Sequence, residues 1–228
     1  MNSTRTLAEA RGWAAHGTRL FLAAAETFGP AEYAAPSPLP GWTRAHLAAH
    51  LAANADALGN LVHWAATGEP TPMYASPEER LAGIERGRTL PAAELTSWVR
   101  ESAQRLAAAT DALTPEQWQT PVVTAQGRTV PATELPWMRA REACVHAVDL
   151  AGGVTFADLP DGFLAALCED VLAKRATAFV LRTPDGGYER DFPGDGEKAV
   201  IEAELPQLAA YLTGRQHIGG APPLGPWL

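Results

Sequence analysis

Cysteine is nearly absent from this chain. Its 228 residues hold two, Cys144 and Cys168, so no disulfide framework can form and a reducing cytoplasm is the expected setting. Lysine is as scarce. Only Lys174 and Lys198 occur, the other basic residues are arginines, and with the surplus of Ala, Gly and Pro this points to high-GC coding. There is no Lys/Arg run and the formal net charge is -8, which argues against nucleic acid and anionic membranes as partners. No apolar stretch has the length to span a bilayer. The start, Met1-Asn2-Ser3-Thr4-Arg5-Thr6, leads into a helical pattern and not a secretory signal. Internal repeats and low-complexity tracts are missing as well.

What remains suits a soluble globular protein with one large or two small domains: 46% hydrophobic and 19% charged residues, with much alanine to favour helix. Apolar residues at helical spacing predict a helix over Thr4–Phe28. Thr43 is a fitting N-cap for a second, running to about Thr67 before Gly68-Glu69-Pro70. Ser76-Pro77-Glu78-Glu79 has the grammar of a helix start and opens a short helix to Gly87; Leu90–Ala112 is the next. Thr114-Pro115-Glu116-Gln117 repeats that grammar, then Val122-Val123-Thr124 reads as strand before a turn at Gln126-Gly127-Arg128. Thr133–Leu150 is a further helix, stopped by Gly152-Gly153. After Gly153 the grammar changes. Pro160–Phe179 is expected as one helix, followed by short strands at Val180–Arg182, Tyr188–Phe192 and Ala199–Ala203, a closing helix Leu205–Thr213 and a Gly/Pro-rich tail. The expected fold class is α+β, mainly α: an up-down four-helix bundle over 1–154, then a small α/β domain over 155–228.

The chemistry concentrates in Arg141-Glu142-Ala143-Cys144-Val145-His146-Ala147-Val148-Asp149. Glu142 and His146 are one helical turn apart and share a face. Two ligands make a weak metal site, so a third must come from elsewhere, and His50 is the best donor. Two His and one Glu is a catalytic zinc set with a fourth position open, although it accepts other divalent ions. Bland alternatives stand beside this reading. A Glu–His pair is often a solvated surface pair, His46 suits simple hydrogen bonding in a first turn, and His50 fits a buried core histidine. Cys144 lies about 200° round the helix from both Glu142 and His146, so it reads as a packing residue, as does Cys168. Among guanidinium groups that can grip a carboxylate, Arg44, Arg88, Arg128, Arg139, Arg141 and Arg215 are candidates, with Arg215 ranked first.

Several of these segments carry a family likeness. Gly41-Trp42-Thr43-Arg44 with His46 and His50, His63-Trp64-Ala65, Thr71-Pro72-Met73-Tyr74, Thr124–Ala132, Trp137-Met138-Arg139, and Arg141-Glu142 with His146–Leu150 resemble the mycothiol-dependent maleylpyruvate isomerases, within the DinB-like helical bundles. The resemblance covers most of residues 40–160 and is weaker in the C-terminal domain, where Leu212-Thr213-Gly214-Arg215 places an arginine at a position implicated in catalysis. It implies a DinB-like four-helix domain, a smaller α/β domain, and zinc or another divalent metal on His50, Glu142 and His146. It further implies cis–trans isomerisation of maleylpyruvate to fumarylpyruvate, a step of gentisate catabolism, by addition and elimination of a metal-bound mycothiol thiolate. Arg215 is then the expected catalytic cation, with Arg139, Arg141 and Arg88 as candidates for holding substrate or thiol. Small-molecule partners, a cytoplasmic location and a monomer are expected. Two rival readings use the same skeleton: a mycothiol-dependent S-transferase, and a non-catalytic metal-binding sensor or interaction bundle.

Overall fold

The computed structural model describes residues 5–174 and 177–224, in two compact units that divide between Val154 and Thr155. The first holds the long helices α1 (Leu7–Ala25), α3 (Arg44–Thr67), α5 (Ala92–Asp111) and α6 (Leu135–Asp149), with the shorter α2 (Pro30–Ala34) and α4 (Pro77–Gly87) between them. α1 packs on α6, α3 packs on both α5 and α6, and α1 touches α5 more sparsely. These contacts close a four-helix bundle. α3 is buried without a break from Ala45 to Ala52 and then on its inner face through Leu58, Leu61, Val62 and Ala65, while Asn60 and His63 stay exposed. Its alanines make this possible, because small side chains let three neighbouring helices approach one axis.

Local signals set the helix ends. Thr6 and Glu9 form a reciprocal capping box at α1, and Ser76 Oγ accepts from the Glu79 amide at α4, where Pro77 takes the first helical position. Thr114 and Gln117 exchange the same pair of bonds, yet only a single 3-10 turn follows, because Pro121 already begins a strand. That strand, β1 (Pro121–Val123), pairs antiparallel with β2 (Thr129–Pro131). Gly127 turns the hairpin at φ +74°, a left-handed conformation natural to glycine.

The bundle core falls into two apolar halves. One gathers Phe21, Leu47, Leu51, Leu95, Val99 and Leu150; the other gathers Leu58, Leu61, Leu106, Trp118, Val122 and Leu135. Along α3 the division falls between Ala52 and Ala55, where Asn54 meets the guanidinium of Arg139 on α6. α1 and α6 touch at backbone range: a Cβ on Gly17 would lie 2.6 Å from the Cys144 amide nitrogen.

The second unit holds α7 (Asp161–Leu172), α8 (Leu205–Leu212) and a sheet of β3 (Thr177–Arg182), β4 (Glu189–Phe192) and β5 (Asp195–Glu202), in the order β4-β3-β5. β3 runs antiparallel to β4 and parallel to β5, and α7 packs against α8. The helix expected over Pro160–Phe179 is therefore too long. It stops at Leu172, residues 175–176 lie outside the described residues, and Thr177–Phe179 belongs to the central strand. The β-branched and aromatic run there finds partners on both edges, which outweighs its compatibility with helix. Among the described residues, no helix is long and apolar enough to cross a membrane.

Candidate metal centre

Two helices bring three distant side chains together. His50 projects from the middle of α3, and Glu142 and His146 project from successive turns of α6. One ligand atom from each lies within 4.8 Å of the others. His50 Nε2 sits 2.8 Å from Glu142 Oε2, and His146 Nε2 sits 3.3 Å from the same oxygen. The two imidazoles meet edge to face with centroids 5.0 Å apart.

The surroundings fix how these groups point. His146 Nδ1 lies 2.9 Å from Oδ2 of the buried Asp149, which leaves Nε2 facing the triad. A carboxylate behind a ligating imidazole is the usual way to hold its ring and tautomer. His50 Nδ1 has Arg80 Nη2 at 3.4 Å, and the Trp42 ring stands edge-on with centroids 5.6 Å apart. His46 is drawn elsewhere: its Nδ1 accepts from the Thr43 amide at 3.0 Å and caps α3.

Charge in the cluster is uneven. Burial raises the Glu142 carboxyl, but hydrogen bonds from His146 and His50 prevail and hold it well below the ordinary carboxylate value. Burial lowers His50 and keeps it neutral, with its bond to Glu142 opposing. Burial also works against a charged His146, yet Asp149 and Glu142 prevail and lift it to about 9. The donor set fits a divalent cation: one ionised carboxylate, one neutral imidazole, and a second imidazole that releases its proton to bind. The cluster is not sealed, since the Glu142 side chain keeps 20% exposure and that of His146 14%.

A cleft of about 520 Å³ adjoins the triad through Arg80, which lines the cleft while reaching His50. Tyr74, Asn60, Asp56 and Trp98 share its wall, and the Arg80 guanidinium stands 5.9 Å from the Tyr74 ring centroid. Asp56 accepts from Trp98 Nε1 at 2.9 Å.

Known proteins share this architecture. A family model described as the mycothiol maleylpyruvate isomerase N-terminal domain matches residues 14–151. The crystal structure of a mycothiol-dependent maleylpyruvate isomerase is similar at 38% identity and a TM-score of 0.86, covering 95% of this chain and 93% of that one.

The chain belongs to the mycothiol-dependent maleylpyruvate isomerase family.

The crystal structure of a histidine-to-alanine mutant of such an isomerase is similar to the same extent, at 37% identity and TM-score 0.86. No curated protein shows a significant match. On this isomerase-family scaffold the arginines singled out from sequence occupy different settings. Arg139 is buried, and its Nη1 donates to the Leu51 carbonyl at 2.8 Å and to Asn54 Oδ1 at 2.9 Å. Arg141 is half-buried on α6. Arg88 is exposed and donates to Glu85 at 2.6 Å. Arg44 donates to the Ala151 carbonyl at 2.9 Å, near the end of α6. Arg215 lies in the second unit, where its Nη1 donates to the Thr213 carbonyl at 2.6 Å just after Gly214 at φ +76°.

Sequence reasoning missed Arg80 and the orienting part of Asp149. Asp149 stands three residues beyond His146, a spacing that places the two side chains together on a helix, so a signal was present. Arg80 offered none. Both cysteines are buried, and burial pushes the Cys144 thiol up to about 12 and Cys168 higher still.

Proposed function

We propose that the protein isomerises maleylpyruvate to fumarylpyruvate, with a divalent cation on His50, Glu142 and His146 and mycothiol as the thiol. The convergence of those three side chains beside an open cleft is the observation that carries this reading, and family membership supports it.

The substrate is a cis alkene conjugated to a carbonyl. Its double bond turns only after becoming single. A thiolate adds to an alkene carbon, forming a C–S bond, and the displaced electron pair moves to the carbonyl oxygen as an enolate. Rotation follows. The pair then returns, the C–S bond breaks, and the trans alkene leaves with the thiolate regenerated. No net oxidation occurs.

A bound divalent cation would supply positive charge that keeps a thiol ionised near neutral pH. The chain's residues do the rest. Glu142 stays ionised, so two neutral imidazoles and one carboxylate leave the centre a net positive charge of about +1. Asp149 holds the His146 Nδ1 proton and aims Nε2 at the centre. Arg80 and Tyr74 offer a cation and a hydroxyl on the cleft wall, suited to substrate carboxylates. Arg215 enters through the family motif as the cation for enolate charge. The protein's own thiols are unsuited to the addition, being buried and protonated.

Purified protein supplied with a divalent metal and mycothiol should convert maleylpyruvate, and a chelator should stop it. His50→Ala should lose both metal and turnover while keeping its helical circular dichroism, because alanine suits that stretch of α3. Arg215→Lys tests the second unit's part by kcat. Full turnover with no thiol added would refute the reading.

A further inference from the structure

The bundle carries a second cavity, of about 400 Å³, in the groove between α1 and α5, and none of the triad residues lines it. Small side chains create the groove: Ala14, Ala15 and Thr18 on α1 face Ala103 and Ala107 on α5. Such residues usually let two helices close on each other. Here α1 leans on α6 instead, with Gly17 against Cys144, and the gap to α5 stays open. Leu58 and Leu135 help to floor it with apolar surface. The volume falls in the range of small-molecule sites.

Its charge is the second observation. Arg11, Arg19, Arg100 and Arg139 line the groove against a single acid, Asp111, in a chain whose formal net charge is -8. Asp111 is bound to Arg11, and Arg100 pairs with Glu26 outside the lining. Arg139 is buried, and its Nη2 has no hydrogen-bond partner among the described residues. A buried guanidinium nitrogen left without an acceptor is costly, and an anion or water resolves it.

We infer that this groove binds a small amphiphilic monocarboxylate, its apolar body between α1 and α5 and its head group among the arginines. The walls are too apolar for a strongly hydrated polyanion, and the arginine excess disfavours a cation. The inference does not rest on the isomerase reading: none of the triad residues lines the groove, and of its arginines only Arg139 is also a candidate for holding substrate or thiol.

The test is calorimetric titration of the full-length protein with octanoate and, in parallel, with uncharged octanol. Saturable octanoate binding is expected, with octanol weaker by about tenfold or more. Ala103→Trp and Thr18→Leu, which fill the groove from opposite walls, should each weaken octanoate by at least about tenfold at unchanged circular dichroism. Arg19→Gln should weaken octanoate and leave octanol alone. Binding should survive a chelator, which separates the groove from carboxylate ligation at the triad. The inference is overturned if octanoate does not saturate, if neither filling variant weakens it, if octanol binds equally well, or if chelation abolishes binding.

Discussion

Asp149 and His146 form a carboxylate–imidazole pair, Oδ2 to Nδ1 at 2.9 Å, with Asp149 only 1% exposed. The pair determines which ring nitrogen His146 presents. Replacing the carboxylate with an amide keeps the shape and removes the charge that holds the tautomer. Asp149→Asn should therefore weaken metal binding by about 10–100-fold while the fold persists. Competition with a coloured chelator measures this, and an unchanged affinity would remove Asp149 from the site.

The pH dependence of the metal-free protein follows from His146. Its pKa is about 9 in the fold against an ordinary 6.5. A raised histidine pKa means the native state holds the proton more tightly than the unfolded chain, so the stabilisation is complete below 6.5 and is lost as pH climbs through about 9. Chelated protein should show a falling Tm across that window. His50 acts in the opposite sense: burial lowers its pKa, so its part is lost on acidification below 6.5. A Tm that rises from neutral to alkaline pH would contradict the assignment.

Metal binding competes with the same proton. Near neutral pH, loading the chelated protein should release about one proton. Calorimetry in two buffers of different ionisation enthalpy counts it, and zero release would mean that His146 is already neutral.

Gly17→Ala probes the α1–α6 contact. The new Cβ would meet the Cys144 amide nitrogen and Sγ at 2.6 Å and the Ala143 carbonyl carbon at 2.9 Å. Backbone cannot rotate away as a side chain can, so the helices must separate. A loss of about 1–3 kcal/mol in urea unfolding is expected. Metal affinity should fall with it, because α6 carries two of the three candidate ligands.

Arg80→Met should leave metal content intact and raise the KM for substrate or thiol on the order of tenfold. Its guanidinium lines the cleft and only neighbours His50. Loss of metal instead would make Arg80 a support for the imidazole.

The triad was legible because a helix converts a four-residue spacing into shared direction, and because His50 sits in a stretch too apolar to be surface. The helix ends were legible for a similar reason: Thr43, Ser76 and Pro77 are local signals with local consequences. Tertiary partners leave no such trace. Arg80 lies on the charge-rich α4, where an arginine near His50 looks like any solvated one. Nothing around Arg139 announces that the Leu51 carbonyl and Asn54 of α3 would cover it. The overlong helix before β3 has the same origin, since strand pairing with β4 and β5 is a long-range event.

Both sulfhydryls are enclosed in packed interiors, and that decides where oxidants can strike. Peroxide finds no exposed sulfur anion of cysteine on the polypeptide. A cell under oxidative load would throttle turnover from outside, by draining the reduced pool of the borrowed small molecule. The macromolecule's own sulfhydryls would stay intact, and flux would resume once that pool was rebuilt.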